Sequence, residues 1–211
     1  MSLLRTFIAV DFPPFIQQAI QHNVDNLCKA IGDSVRWVPA KNIHLTLKFL
    51  GDVSPANADI LAQMLRAEAD SCPSFDVSIS GLGSFPNSRQ PRVLFIGIQA
   101  PAELEALQRG IESATARLGY ESESRAFSPH LTIGRVRENI TPSDQQRIRK
   151  SLDETKIDSL GTARVDSVHL YKSELKPSGS VYTKLFSAPL RTVIAGGARN
   201  NQKHEVKPER A

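Results

Sequence analysis

Apolar residues recur along this chain with two alternating periods. Residues 4–11 (LRTFIAVD) form a short apolar run closed by Pro13-Pro14, which predicts a strand. After the prolines, Phe15, Ile16, Ile20, Val24, Leu27 and Ile31 fall near helical spacing. A strand pattern returns at residues 43–53 (IHLTLKFLGDV), and Ser54-Pro55 supplies an N-cap and a first-turn proline for a helix ending near Ser71. Residues 75–79 alternate as a half-buried strand does.

The pattern then begins again. Residues 92–99 read as a strand, and Pro101 opens a helix with Leu104, Leu107, Ile111 and Leu118 on its apolar face. Residues 129–136 (PHLTIGRV) are a strand, Thr141-Pro142 starts another helix, and strands are expected over 163–175 and 181–190. Three landmarks keep nearly one offset: His130 minus His44 is 86, Pro101 minus Pro14 is 87, and Pro142 minus Pro55 is 87. A duplicated strand–helix–strand–helix–strand unit follows. The expected fold is α+β: two lobes related by a pseudo-two-fold, each an antiparallel sheet with helices packed outside, around a central cleft. They form one domain over 1–195, with halves of about 1–86 and 87–195 that meet in the loop-like GSFPNSRQP. Residues 196–211 have the composition of a disordered basic tail.

Composition narrows the class only modestly. The 211 residues are 40% apolar and 23% charged, an ordinary globular balance. A net charge of +4 and a pI near 9.2 suit an anionic partner such as RNA, without the charge density of a nucleic-acid coat. Cys28 and Cys72 lie far apart and outside any Cys-x-x-Cys pattern, so buried or free thiols in a reducing compartment are expected. No run has membrane length, and the first residues are too short and too interrupted for a signal peptide. A cytoplasmic monomer with no membrane partner is the default expectation.

Chemistry enters with His44-Leu45-Thr46-Leu47 and His130-Leu131-Thr132-Ile133, which occupy matching points of the repeat. Side chains two apart on a strand share a face. Leu45, Leu47, Leu131 and Ile133 therefore turn to the core, while His44 with Thr46 and His130 with Thr132 turn to the other face. Two imidazoles and two hydroxyls converging on one point suit a phosphodiester. The hydroxyls donate to phosphate oxygens, one imidazole accepts a proton from water, and the other, as imidazolium, donates one to the leaving oxygen. The two histidines lack neighbouring carboxylates or cysteines at ligand spacing, so neither metal nor cofactor is expected.

At these residues the chain resembles the two-histidine (2H) phosphoesterase superfamily, marked by paired His-x-Thr-x motifs. Within it, the chain is most similar to the bacterial and archaeal RNA 2′,3′-cyclic phosphodiesterases, historically called 2′-5′ RNA ligases. The segments LRTFIAVDFP, VRWVPAKNIHLTLKFLGDV, PRVLFIGI, RAFSPHLTIGRV and HLYKSELKPSGSVYTKL carry the resemblance in order over nearly the whole folded chain. It implies hydrolysis of RNA 2′,3′-cyclic phosphate ends, or of a small cyclic nucleotide, to a 2′-phosphate. It further implies that His44 is the proton donor, His130 the proton acceptor, and that Thr46, Thr132 and Arg135 bind the phosphate.

For Arg135 the alternation disagrees, setting it on the side of Leu131 and Ile133 unless Gly134 admits a bulge; a surface or interface salt bridge is the other reading. The same alternation puts Lys48 on the active face. His169 is expected to be structural, and His22 and His204 to be solvent histidines. Trp37 and Phe127 suit either base stacking or the core. Tyr171, Lys172 and Ser173 are drawn toward the cleft by the resemblance alone. Two other functions compete. One is 2′-5′ joining, in which a 5′-hydroxyl replaces water; no Gly-x-x-x-x-Gly-Lys loop supports an ATP-driven ligase. The other is a non-catalytic RNA or nucleotide binder, against which the intact His and Thr of both motifs argue.

Overall fold

The computed structural model describes residues 3–177 and 179–192; the expected tail and His204 lie outside them. The element order is β1 (Leu4–Val10), α1 (Pro14–Ile31), β2 (Val35–Trp37), β3 (Leu45–Val53), α2 (Pro55–Ser71), β4 (Phe75–Phe85), β5 (Val93–Gln99), α3 (Ala102–Arg117), β6 (His130–Val136), α4 (Pro142–Glu154), β7 (Gly161–Val165), β8 (Ser167–Lys176) and β9 (Gly179–Pro189). The helices start where the punctuation placed them. Pro14 and Pro55 occupy the first turns of α1 and α2, and Ser54 caps α2 by accepting the Asn57 N–H. A reciprocal capping box of Thr141 and Asp144 opens α4.

The α+β class holds, with one antiparallel sheet in the order β7-β4-β5-β6-β3-β1-β8-β9 and β2 paired to β6. The helices pack their apolar faces, α1 beside α4 and α2 beside α3, on the sheet face that carries Ile8, Val10, Leu45, Leu47, Leu131 and Ile133. That burial leaves the opposite face for chemistry.

Three features depart from the sequence reading. First, the halves 1–86 and 87–195 are units of repetition but each does not build its own lobe, because they exchange third strands: β4 pairs with β5, and β8 pairs with β1. Second, the motif strands do not face each other across a cleft. β3 and β6 are neighbours at the middle of the sheet, bridged at Leu45↔Leu131, and beyond that point β2 takes over pairing with β6. Third, the run 163–175 is two strands. It breaks at Asp166, with β7 at one end of the sheet and β8 near the other.

That break determines the shape. Six inter-strand steps of about 4.8 Å would part β7 from β8 by roughly 29 Å in a flat sheet. The chain joins them through one residue, two Cα steps of about 3.8 Å each. The sheet must therefore curl until its ends meet. Closing contacts are present: Leu190 N–H donates to the Asp166 carbonyl at 2.7 Å, and Ser74 N–H to the Arg191 carbonyl at 2.9 Å.

Candidate active site

His44 immediately precedes β3, and His130 opens β6. In an antiparallel pair, one step from the Leu45↔Leu131 bridge sets His44 level with Thr132 and Thr46 level with His130. The four motif side chains thus share the face opposite the core, each half-buried, while Leu45 and Leu131 are 1% and 0% exposed beneath them. The bridge lies on the pseudo-two-fold of the repeat.

Both imidazoles are oriented alike. His44 Nδ1 lies 2.8 Å from the Asn42 carbonyl, and His130 Nδ1 lies 2.7 Å from the Ser128 carbonyl. A carbonyl only accepts, so each Nδ1 carries the proton and each Nε2 is left to the site. Aromatic rings hold the imidazoles in place. His44 stacks on Phe7 at 4.7 Å and meets the edge of Tyr182 at 5.1 Å, while His130 packs against Phe85 at 4.9 Å and Phe95 at 5.4 Å.

A matched pair of β-bulges decides which residues accompany them. In β3 the register steps from Ala9↔Thr46 to Ile8↔Lys48, leaving Leu47 extra; in β6 it steps from Phe95↔Thr132 to Leu94↔Gly134, leaving Ile133 extra. Arg135, opposite Val93, is thereby turned to the face of Thr132 and exposed, where strict alternation would have set it on the side of Leu131. Gly134 makes this possible: a Cβ there would lie 2.6 Å from Val35 Cγ1 and 3.1 Å from the Trp37 ring.

In β3 the same device corrects the expectation for Lys48, which is not on the active face. Its ammonium is buried on the helix side, 2.6 Å from Glu112 Oε1 and 2.5 Å from the Glu121 carbonyl. The residue turned to the active face is Phe49, at the repeat position of Arg135 and 66% exposed. Sequence reasoning missed Phe49; the 86-residue offset from Arg135 is the signal that could have found it.

Asp11, also missed, lies at the end of β1 beside His44. The Tyr171 hydroxyl donates to both carboxylate oxygens, at 2.7 and 2.6 Å, and Lys184 Nζ lies 2.9 Å away. Burial acts to raise the Asp11 carboxyl, but the bonds from Tyr171 and Lys184 and the charge of His169 hold it below its usual value. Burial and the adjacent carboxylate push the Tyr171 phenol far up.

The remaining candidates fall into place. His169 is 5% exposed, with Nε2 3.5 Å from Asp11, a structural position. His22 is exposed on α1. Trp37 and Phe127 pack against the core and leave base stacking aside. Tyr171 lines a cavity of about 220 Å³ next to His44, and Lys172 pairs with Glu174 at 3.2 Å. Cys28 and Cys72 are free thiols. A larger hollow of about 530 Å³ between α1 and α4 contains no motif residue, so the chemistry lies elsewhere.

The electrostatics of the two histidines differ. Burial lowers the pKa of His44; the Asn42 carbonyl and the Asp11 charge oppose this, and the His130 charge adds to it. Burial lowers that of His130 as well; the Ser128 carbonyl opposes, and the Arg135 guanidinium adds to the lowering. One imidazole has a carboxylate for company, the other a cation. Among the described residues, no three His, Cys, Asp or Glu side chains are gathered as a metal cage, and no helix is long and apolar enough to cross a membrane.

Comparison with known proteins bears on the family and the fold. The RNA 2′,3′-cyclic phosphodiesterase of Methanothermobacter thermautotrophicus is 33% identical over 182 residues, 86% of this chain and 96% of the relative. The protein of the same name from Thermotoga maritima is 31% identical, over 87% of this chain and 94% of the relative. The crystal structure of Escherichia coli LigT complexed with 3′-AMP superposes with a TM-score of 0.72 at 28% identity, covering 89% of this chain and 98% of that one. The family model of the 2′-5′ RNA ligase superfamily matches residues 13–177, and the chain belongs to that superfamily.

Proposed function

We propose that this protein is an enzyme that hydrolyses RNA 2′,3′-cyclic phosphate ends to 2′-phosphates by two-histidine acid–base catalysis, without a metal ion. The observation that carries the reading is the strand pairing at Leu45↔Leu131, which levels each histidine with the threonine of the other motif on one open face. Relatives about one third identical over most of the chain bear the name of that activity.

In the proposed step, water attacks phosphorus and the bond from phosphorus to the ribose 3′-oxygen breaks. His130, neutral, accepts the proton of the attacking water through Nε2. His44, as imidazolium, gives its Nε2 proton to the departing 3′-oxygen. Asp11 favours the charged form of His44 and Arg135 the neutral form of His130, which supports this assignment of donor and acceptor. Thr46 and Thr132 donate to the non-bridging oxygens, and Arg135 offsets the charge that builds on phosphorus. Exposed Phe49 offers a face on which the terminal base can stack. Exchange with solvent then resets the two protons.

The test is incubation with an RNA ending in 2′,3′-cyclic phosphate and identification of the product. A 2′-phosphate is expected. A 3′-phosphate would reverse the bond that breaks, and binding without turnover would make the protein a nucleotide-binding module.

A further inference from the structure

Beside the two histidines, β2 presents a feature that the hydrolytic step leaves unused. Arg36 lies directly opposite Arg135 in the β2–β6 pairing, so both side chains point to the active face from positions about 4.5–5.5 Å apart at Cβ. Both are exposed, and among the described residues neither guanidinium lies within salt-bridge distance of a carboxylate. Like charges directly opposite on a sheet repel. An anion between them removes that repulsion and supplies acceptors for two forked donors.

The position suggests which anion. On β5, Thr132 is opposite Phe95 and Arg135 is opposite Val93, so the row of arginines lies two strand residues, about 6.8 Å, beyond the row that would hold the cyclic phosphate. Arg36 lies level with Arg135 on β2, which continues the β3 side of β6 past the motif residues. On the other side, His130 is walled by the stacked rings of Phe85 and Phe95, 4.4 Å apart, which offer a phosphate nothing to bind.

We propose that Arg36, with Arg135 beside it, holds the phosphodiester that links the terminal nucleotide to the rest of the RNA chain. This station rests on the RNA-end reading of the site and adds a preference for polynucleotide over mononucleotide. Arg135 serves the scissile phosphate and the station together, whereas Arg36 serves the station alone.

The experiment compares wild type with Arg36→Gln on two substrates, a 2′,3′-cyclic mononucleotide and a tetranucleotide ending in the same cyclic phosphate, together with thermal melting of the free proteins. On the tetranucleotide the variant should lose about fivefold in kcat/KM, the upper end for an exposed ion pair. The slope of log KM against log salt should fall by roughly 0.7 for the lost phosphate contact. Turnover of the mononucleotide should be unchanged. The free variant should melt no lower than wild type, since a repulsion has been removed. An equal loss on both substrates, no loss on the tetranucleotide, or a lowered melting temperature overturns the station. Failure of the wild type to turn over either substrate overturns the reading beneath it as well.

Discussion

Replacing Lys48 by Met tests the β-bulge that takes this residue off the active face. The side chain is 4% exposed and bonds to Glu112, itself 19% exposed, and to the Glu121 carbonyl. Glu112 also accepts the Glu123 N–H through the same oxygen, and its Oε2 is buried with no partner. Methionine nearly keeps the volume but leaves that carboxylate without its cation. Removing one member of a buried pair costs about 3–5 kcal/mol, and the partial exposure of Glu112 favours the lower end, about 3 kcal/mol. In a chain of this size each kcal/mol moves the melting temperature by about 2–4 °C, so a fall of roughly 6–12 °C is expected. Adding Glu112→Gln, which removes the stranded charge and keeps an acceptor for Glu123, should recover most of it. The assay is thermal and urea denaturation of the single and double variants, with turnover of a cyclic nucleotide measured well below the transition. Turnover should stay of wild-type order. A Lys48→Met protein that melts like wild type but has lost turnover would return Lys48 to the active face and refute the reasoning.

His44→Ala and His130→Ala should each lose roughly 100-fold or more in turnover while remaining folded, as read by circular dichroism, because both side chains face away from the core. The pH–rate profile should be bell-shaped, with apparent values belonging to the coupled pair; a monotonic profile would reject two-histidine catalysis. Asp11→Asn removes a charge that favours the imidazolium of His44, so the alkaline limb should move to lower pH with the acid limb unmoved; movement of the acid limb instead would exchange the donor and acceptor labels. Gly134→Ala forces a Cβ against Val35 and Trp37 and should cost about 1–3 kcal/mol by denaturation, with a raised KM where Arg135 is displaced. A chelator should leave turnover intact, and loss restored by a divalent ion would overturn the metal-free mechanism.

Much of this protein could be read along the chain, because the information was local. Period-two alternation sends Leu45, Leu47, Leu131 and Ile133 to the core and the motif His and Thr side chains to the other face, and prolines with their capping residues mark the helix starts. The constant offset identifies a repeat, which makes two weak His-x-Thr signals into one site. Tertiary structure alone decided the rest. Alternation predicts side only while register is regular, and the bulges at Leu47 and Ile133 reverse it, burying Lys48 and presenting Phe49 and Arg135. Which strands pair depends on contacts remote in sequence, so neither the exchange of β4 and β8 nor the break at Asp166 follows from composition. Asp11 comes level with His44 only because β1 pairs with β3, and β8 and β9 beside β1 bring Tyr171 and Lys184 to its carboxylate. The repeat makes the two histidines alike; the unlike neighbours that folding gives them, a carboxylate for one and a guanidinium for the other, are what set them apart.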